Sequence, residues 1–447
     1  MRSPLENQKI FSDRRQRLSS LIQGSALIVS SPEETIRNGS VGNPFRQDSN
    51  LYYLTGYEEP GSIFVFRPGM NPETILFVRK KDLERETWDG FRFGPEEAQK
   101  QFRMEKTYPI EDFQKEIVGL LKGADKLYYR NFKNAEMDFK IKEALLALKT
   151  SQGRSGFCLL PVFDADELLG ELRVIKSEAE LAVHRQACEL TSEAHIELMK
   201  YAKPGMNERE LHGYFVYQIM KRGAAREGYG GIFAGGANAC TLHYVFNDQP
   251  VRNGDLLLVD AAGEYNYFTS DITRAYPING KFSAPQLQVY EGVLKIQKTL
   301  IESIKPGVPF QSMHDAAADM LTDLILDLGL LSGRKDDIIK ANQHRKYYPH
   351  GVGHFLGMDV HDAGLYFNRK TNEPRKIEPG MVFTIEPGLY IPANDSSAAA
   401  EYRGIGVRIE DNILVTENGY EVLTKRCPKE VAELERTIGY NYKSQNS

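Results

Sequence analysis

Residues 253–265 read NGDLLLVDAAGEY, and residues 378–390 read EPGMVFTIEPGLY. In each, a glycine precedes a carboxylate by six residues: Gly254 before Asp260, Gly380 before Glu386. Each carboxylate closes an apolar run, LLLVD or MVFTIE, whose character predicts a buried strand. A charge at the end of a buried strand is costly unless it is paired or bound to a metal. For one such residue a salt bridge or a helix cap is the simpler reading. A matched pair asks for the rest of the repeat.

The repeat extends in both directions. Helix-like segments end at Lys203-Pro204-Gly205 and at Lys305-Pro306-Gly307, and eight and nine residues past each lysine stand Leu211-His212 and Met313-His314. Downstream, SDITRAYPING at 270–280 parallels IEDNILVTENG at 409–419, with Asp271 and Glu410 each nine residues before a glycine. Each half reads helix, Lys-Pro-Gly, helix, then two strands, each strand bearing one carboxylate. The second half is longer by a charged insertion at 332–348 and a loop at 392–404. Such repetition predicts a domain of approximate two-fold symmetry with a site where the halves meet. His212 and His314, at matching places in amphipathic helices, read as structural.

With 447 residues the chain exceeds what one core usually fills, so two domains are expected. SALIVSS at 25–31, GSIFVFRPG at 61–69 and ETILFVRKK at 73–81 read as strands, and EDFQKEIVGLLKGADK at 111–126 as a helix ending at glycine. The fold class is therefore α/β (α+β). A mixed α/β domain over residues 1–173 precedes a repeat-bearing domain over 174–447, opened by the capping-box pair Ser177 and Glu180. A net charge of −5 gives no footprint for nucleic acid, and no apolar span reaches membrane length. The first residues lack the apolar block of a signal peptide, so a cytoplasmic location is expected ahead of an organelle-targeted one. Cys158, Cys188, Cys240 and Cys427 form no metal or redox spacing and read as buried free thiols.

All nine histidines fall after residue 183, so the chemistry is expected in the second domain. Three of them, His350, His354 and His361, lie in YYPHGVGHFLGMDVHD at 347–362. Pro349, Gly351, Gly353 and Gly357 oppose a helix there. An extended, glycine-rich segment lets the backbone pass close to a site, with one histidine on a metal and its neighbours facing substrate. Four converging carboxylates cannot all ionise without cations between them, and two divalent ions would balance them. Oxygen donors with one imidazole favour Mn, Co, Fe or Zn over a thiolate-type site.

Asp260, Asp271, His354 in HGVGH, Glu386 in TIEPGLY and Glu410 in GVRIED resemble the ligand set of the dinuclear pita-bread metallopeptidases. FRQDSNLYYLTGYEEPGSIFVF at 45–66 resembles the N-terminal domain of aminopeptidase P and its prolidase relatives. The combination is most similar to bacterial-type aminopeptidase P, the Xaa-Pro aminopeptidases. That resemblance implies a pita-bread second domain and release of an N-terminal residue that precedes proline, by attack of a metal-bridging hydroxide. A prolidase confined to Xaa-Pro dipeptides shares the same ligands. A non-catalytic peptide-binding module is opposed by the presence of all five.

The resemblance further implies that Asp260 chelates one ion, Asp271 and Glu410 bridge both, and His354 and Glu386 complete the second, manganese being the first choice of ion. Glu386 would shuttle the proton to the leaving nitrogen, while His243 and His361 hold substrate carbonyls and the oxyanion. His350 would line the proline-side pocket with Tyr229, and Arg408 would offset the negative charge. Family members are often oligomeric, which implies a dimer or tetramer. Trp88, the single tryptophan, lies in the aromatic and charged stretch RETWDGFRFG at 85–94. Although tryptophan more often belongs to a core, we place Trp88 at the mouth of the site, its own or that of a neighbouring subunit.

Overall fold

The apolar runs early in the chain become one mixed sheet, and those of the two repeats become a pair of smaller sheets. The computed structural model describes residues 8–443. The chain divides into two units, Met1–Leu172 and Arg173–Ser447.

The first unit is built on β1 (Ala26–Ser30), β2 (Ile63–Phe66), β3 (Thr74–Val78), β4 (Lys106–Pro109), β5 (Leu127–Tyr129) and β6 (Val162–Phe163). Their order across the sheet is β4-β3-β2-β1-β5-β6. The central strands are buried along their length except at Ser30, the last residue of β1, as continuous apolar runs require when both faces are covered. Helices α1 (Phe113–Leu120) and α2 (Ala135–Ser151) lay Phe113, Ile117, Met137, Ile141 and Ala144 on one face, against Ile28, Val65 and Phe77.

In the second unit, Ser177 and Glu180 complete their capping box and open α3 (Glu178–Tyr201), followed by α4 (Glu208–Lys221). Next come β7 (Ile232–Gly235), β8 (Leu256–Asp260) and β9 (Thr273–Pro277), an antiparallel sheet in the order β7-β8-β9. Helices α5 (Ala284–Glu302) and α6 (Phe310–Asp327) begin the second half. It continues with β10 (Val382–Ile385), β11 (Gly388–Tyr390), β12 (Gly406–Arg408), β13 (Asp411–Thr416) and β14 (Gly419–Val422). Here β10-β13-β14 form one sheet, and β11 pairs with β12.

The repeat is visible bond by bond. Gly205 and Gly307 both adopt positive φ, 89° and 87°, where a side chain would be strained. Their N–H groups donate to Val251 C=O at 2.8 Å and Ile377 C=O at 2.9 Å. The return bonds, Val251 N–H to Met206 C=O and Ile377 N–H to Val308 C=O, are both 2.8 Å. In α4, Leu211, Phe215 and Ile219 form the face packed with Phe233 and Val259, and in α6 Met313, Ala317 and Leu321 form the face packed with Phe383 and Ile385. Both faces follow the i, i+4, i+8 stripe of an amphipathic helix, and each large side chain buried there contributes roughly 1.5–3 kcal/mol.

Two local expectations are corrected. Cys158 is exposed and Cys240 half-buried, so only Cys188 and Cys427 are buried thiols. Cys158 sits in an irregular, mostly exposed stretch between α2 and β6 that offers no core to enter. Asp271 and Glu410 lie just before β9 and β13 rather than within strands. At Asp271 a side chain replaces the strand partner: Asn412 Oδ1 accepts from Asp271 N–H at 3.0 Å, and Asn412 Nδ2 donates to the Asp271 carbonyl. The halves are also tied by Arg274, fully buried in β9, whose Nη2 lies 2.7 Å from Asp411 Oδ1 in β13.

His184 and His195 are fully buried in α3, and burial lowers them from the ordinary 6.5 to about 3 and about 4. The unfolded chain therefore takes up their protons near pH 6.5, while the folded chain does so only well below. Their contribution to stability is full above about pH 6.5 and falls as the pH drops towards 4. The slope approaches about 1.4 kcal/mol per pH unit for each histidine. Denaturant melts at pH 7.5 and 5.0 should show a smaller loss in His195→Gln than in the parent chain.

Candidate active site

The ends of β8 and β10, the segments before β9 and β13, and the loop at 347–362 bring four carboxylates and an imidazole together. Among the described residues, Asp271, His354 and Glu410 each offer one donor atom, and these atoms all lie within 4.8 Å of one another. His354 Nε2 is 3.4 Å from Asp271 Oδ2 and 3.5 Å from Glu386 Oε1. Asp260 joins through Tyr229, whose hydroxyl lies 2.6 Å from Asp260 Oδ1 and 2.5 Å from Asp271 Oδ1. One hydroxyl proton thus serves two carboxylates.

Partners cross between the halves. Arg408, at the end of β12, places Nη2 2.6 Å from Asp260 Oδ2 and donates through Nε to Thr273 Oγ1 at 3.1 Å. Thr273 Oγ1 in turn donates to Glu410 Oε2 at 2.6 Å. Arg408 Nη1 donates to the Tyr390 hydroxyl at 2.9 Å, and that hydroxyl is 2.8 Å from His350 Nε2. His350 Nδ1 faces the Gly351 carbonyl at 2.7 Å, and a carbonyl only accepts, so Nδ1 carries the proton and Nε2 accepts from Tyr390. Burial and the nearby Arg408 charge lower His350 to about 3, which keeps it neutral.

Glycine in the loop reflects close approach. A Cβ on Gly353 would lie 2.0 Å from the Thr384 carbonyl oxygen of β10. The bare backbone lets His354 N–H reach Thr384 Oγ1 at 3.1 Å. His314 packs on Phe310 and accepts the Val352 N–H at 3.2 Å, so it supports the loop from α6. His212 pairs with Glu227 at 2.7 Å, stacked on Phe233. His361 is exposed, its ring edge-on to His354 with centroids 4.4 Å apart. His243 is also exposed. Trp88 lies in the first unit, on the short helix Leu83–Asp89, and is 80% exposed rather than in the core.

The electrostatics state what is missing from the protein's own charges. Burial raises the carboxyls of Asp271, Glu386 and Glu410 above their ordinary range, and neighbouring carboxylates push the same way. Glu386 reaches about 7. Burial tends to deprotonate His354, but its hydrogen bond to Asp271 and the charges of Glu386 and Asp271 outweigh this and hold it at about 9. One guanidinium, Arg408, cannot neutralise four carboxylates. Hard oxygen donors with a single imidazole fit divalent cations, which would restore the acids to their ionised form. Tyr390, Thr273, Thr384 and Asn412 join this network, although sequence reading assigned them no role. Thr384 and Tyr390 stand within the repeated TIEPGLY segment, Asn412 directly follows Glu410-Asp411, and strand alternation sets Thr273 on the face of Asp271, which are the signals the sequence offers.

Comparison with known proteins places these features in a family. Residues 182–417 match metallopeptidase family M24, and residues 11–128 match the aminopeptidase P N-terminal domain. The Xaa-Pro aminopeptidase of Haemophilus influenzae is 39% identical over 432 residues, 96% of this chain and 97% of that protein. Pseudomonas aeruginosa aminopeptidase PepP superposes with a TM-score of 0.93 at 39% identity, covering 98% of this chain and 99% of the other. Zinc-substituted E. coli aminopeptidase P, solved in complex with product, superposes with a TM-score of 0.90 at 35% identity, over 96% and 98% of the two chains.

If the buried donors hold divalent ions, removing one should be read out by metal content before any assay of turnover. Glu410→Ala and Asp271→Ala should each lose bound metal, measured by elemental analysis after dialysis. In the parent chain, chelation should lower the melting temperature, because an ion present at a thousand times its dissociation constant stabilises the folded state by about 4 kcal/mol. That stabilisation should be largely absent in both variants.

Proposed function

The chain belongs to metallopeptidase family M24, and from that membership we propose that it is a metal-dependent aminopeptidase releasing the residue ahead of a proline. The observation that carries this reading is double. The likeness to Xaa-Pro aminopeptidases runs through both units, and the second unit gathers four buried or half-buried carboxylates around His354. No helix among the described residues is long and apolar enough to cross a membrane. The substrates are peptides with proline in second position.

Asp260, Asp271, His354, Glu386 and Glu410 are the residues we assign to hold two divalent ions. Such ions supply Lewis acidity and a water acidified towards neutral pH. Manganese is the ion proposed first, with cobalt, iron and zinc compatible with the same donors. Glu386, half-buried with Oε1 3.5 Å from His354 Nε2, is the carboxylate we assign to take a proton from the attacking water and pass it to the proline nitrogen. His361 and His243 present exposed imidazoles to hydrogen-bond the substrate carbonyls and stabilise the oxyanion. His350, kept neutral by burial and oriented by Tyr390, lines the proline-side pocket together with Tyr229. Arg408 offsets the carboxylate charge through Asp260.

We further assign the protein to the cytoplasm, supported by four cysteines without a disulfide, and to a homo-oligomer, a dimer or tetramer. The exposed Trp88 supports that last assignment together with exposed Leu83 and Phe91 on the same stretch, since clustered exposed apolar side chains mark contacts with a partner.

Turnover of Xaa-Pro dipeptides and of Xaa-Pro peptides of increasing length, after chelation and manganese add-back, tests the reading. Activity on the longer peptides is expected; hydrolysis of dipeptides alone would make the chain a prolidase. His361→Ala and His243→Ala should each lower kcat about 100-fold with little change in KM, because they act in the transition state. Metal content should stay at the parent level, and its loss would mark a ligand assigned wrongly. Trp88→Ala should alter the preference among peptide lengths while melting temperature and metal content stay unchanged.

A further inference from the structure

We propose that Arg173 and Lys176 are positioning residues for His361, acting through the Asp362 carboxylate that both of them grip. The inference rests on the reading of His361 as a group that touches substrate.

The loop that carries His361 leaves the site at Phe355 and returns at Asp362, whose N–H donates to the Phe355 carbonyl at 2.9 Å. His354 precedes this closure and His361 ends it, so the bond sets the two imidazoles side by side. The Asp362 side chain is 1% exposed. Its Oδ1 is 2.5 Å from Arg173 Nη2, and its Oδ2 is 3.1 Å from Lys176 Nζ. Arg173 Nη2 also lies 2.6 Å from Asp359 Oδ2 on the same loop. Arg173 and Lys176 are themselves only 4% and 2% exposed.

Neither cation touches the carboxylate and imidazole cluster directly by any bond described above; both act on the loop. Lys176 N–H also donates to Gly380 C=O at 2.9 Å, at the turn entering the strand that ends before Glu386. The same short segment therefore holds the His361 loop and the root of β10. Gly357 shows how tightly this is built. A Cβ there would lie 2.2 Å from Asp362 Oδ2 and 3.2 Å from Lys176 Cε. From the other side, Thr269 N–H donates to the Gly357 carbonyl at 2.9 Å, two residues before Asp271.

Stability alone does not explain two buried cations on one carboxylate. Desolvating such a cluster costs several kcal/mol, and apolar residues of equal volume often serve stability as well or better. What the cluster supplies is direction: charge-assisted bonds from two anchored donors fix the carboxylate, and with it the adjoining residue. For an imidazole that meets a developing oxyanion, a shift of about 1 Å is enough to cost on the order of 100-fold in rate.

Gly357→Ala and Lys176→Met test the proposal in the full-length, metal-loaded chain. The first keeps every charge and displaces the carboxylate; the second removes one grip and leaves Arg173. Each should lower kcat about 10- to 100-fold, with KM and metal content close to those of the parent when assayed well below the melting temperature, which both substitutions lower. In a His361→Ala background the same substitutions should lower kcat less than about two-fold further, since the group they position is gone. Lys176→Arg should recover most of the activity lost in Lys176→Met. Equal losses in both backgrounds, or no loss in the parent background, would overturn the inference. If His361→Ala by itself leaves kcat unchanged, the role given to His361 fails first and the positioning role falls with it.

Discussion

Four carboxylates brought into one partly buried space repel each other, and much of the second unit answers to that repulsion. Taken from water, each acid binds its proton more tightly, and each neighbouring charge adds to the effect. The protein offsets this in three ways. Arg408 sets a guanidinium against Asp260. Tyr229 shares a hydroxyl proton between Asp260 and Asp271. Thr273 donates to Glu410. These measures orient the acids without neutralising them, and the remaining negative charge is what makes the cluster a place for cations.

The repeat explains how such a costly arrangement is assembled. Each half is an ordinary packing of helices on a short antiparallel sheet, with its carboxylates at strand ends where the core gives way. Each half brings two of the acids, Asp260 and Asp271 from the first and Glu386 and Glu410 from the second. The concentration arises when the halves meet, and it is stitched by contacts that cross between them: Thr273 to Glu410, Arg408 to Asp260, Asn412 to Asp271 and Arg274 to Asp411. Arg274 and Asp411 are both fully buried. Asp411 also receives Lys429 at 2.6 Å and Gln297 at 2.8 Å, so neither charge is left without compensation.

The histidines show how one residue type is put to different uses by its surroundings. His350 is buried beside Arg408 and stays neutral, His354 sits among acids that draw positive charge to it, and His361 lies exposed against the edge of His354. The glycines between them permit main-chain approaches that any Cβ would block, as at Gly353 over the Thr384 carbonyl. His184 and His195 belong to the core of α3, and His314 braces the loop from below.

What the sequence determined alone was whatever depends on local spacing. The capping box at Ser177, the paired Lys-Pro-Gly turns, the apolar stripes of α4 and α6 and the strands ending near Asp260 and Glu386 are all set by neighbours a few residues apart. Order and context along the chain were also enough to recognise the family. Tertiary structure decided the partners. That Arg408 faces Asp260, that Tyr390 orients His350, that Asn412 stands in for a strand beside Asp271, and that Arg173 and Lys176 grip the His361 loop are contacts between residues from 40 to 189 positions apart. No periodicity encodes such pairs. They follow from the energetic demand that every buried charge and polar group find a partner, a demand that can be met only once the chain has folded back upon itself.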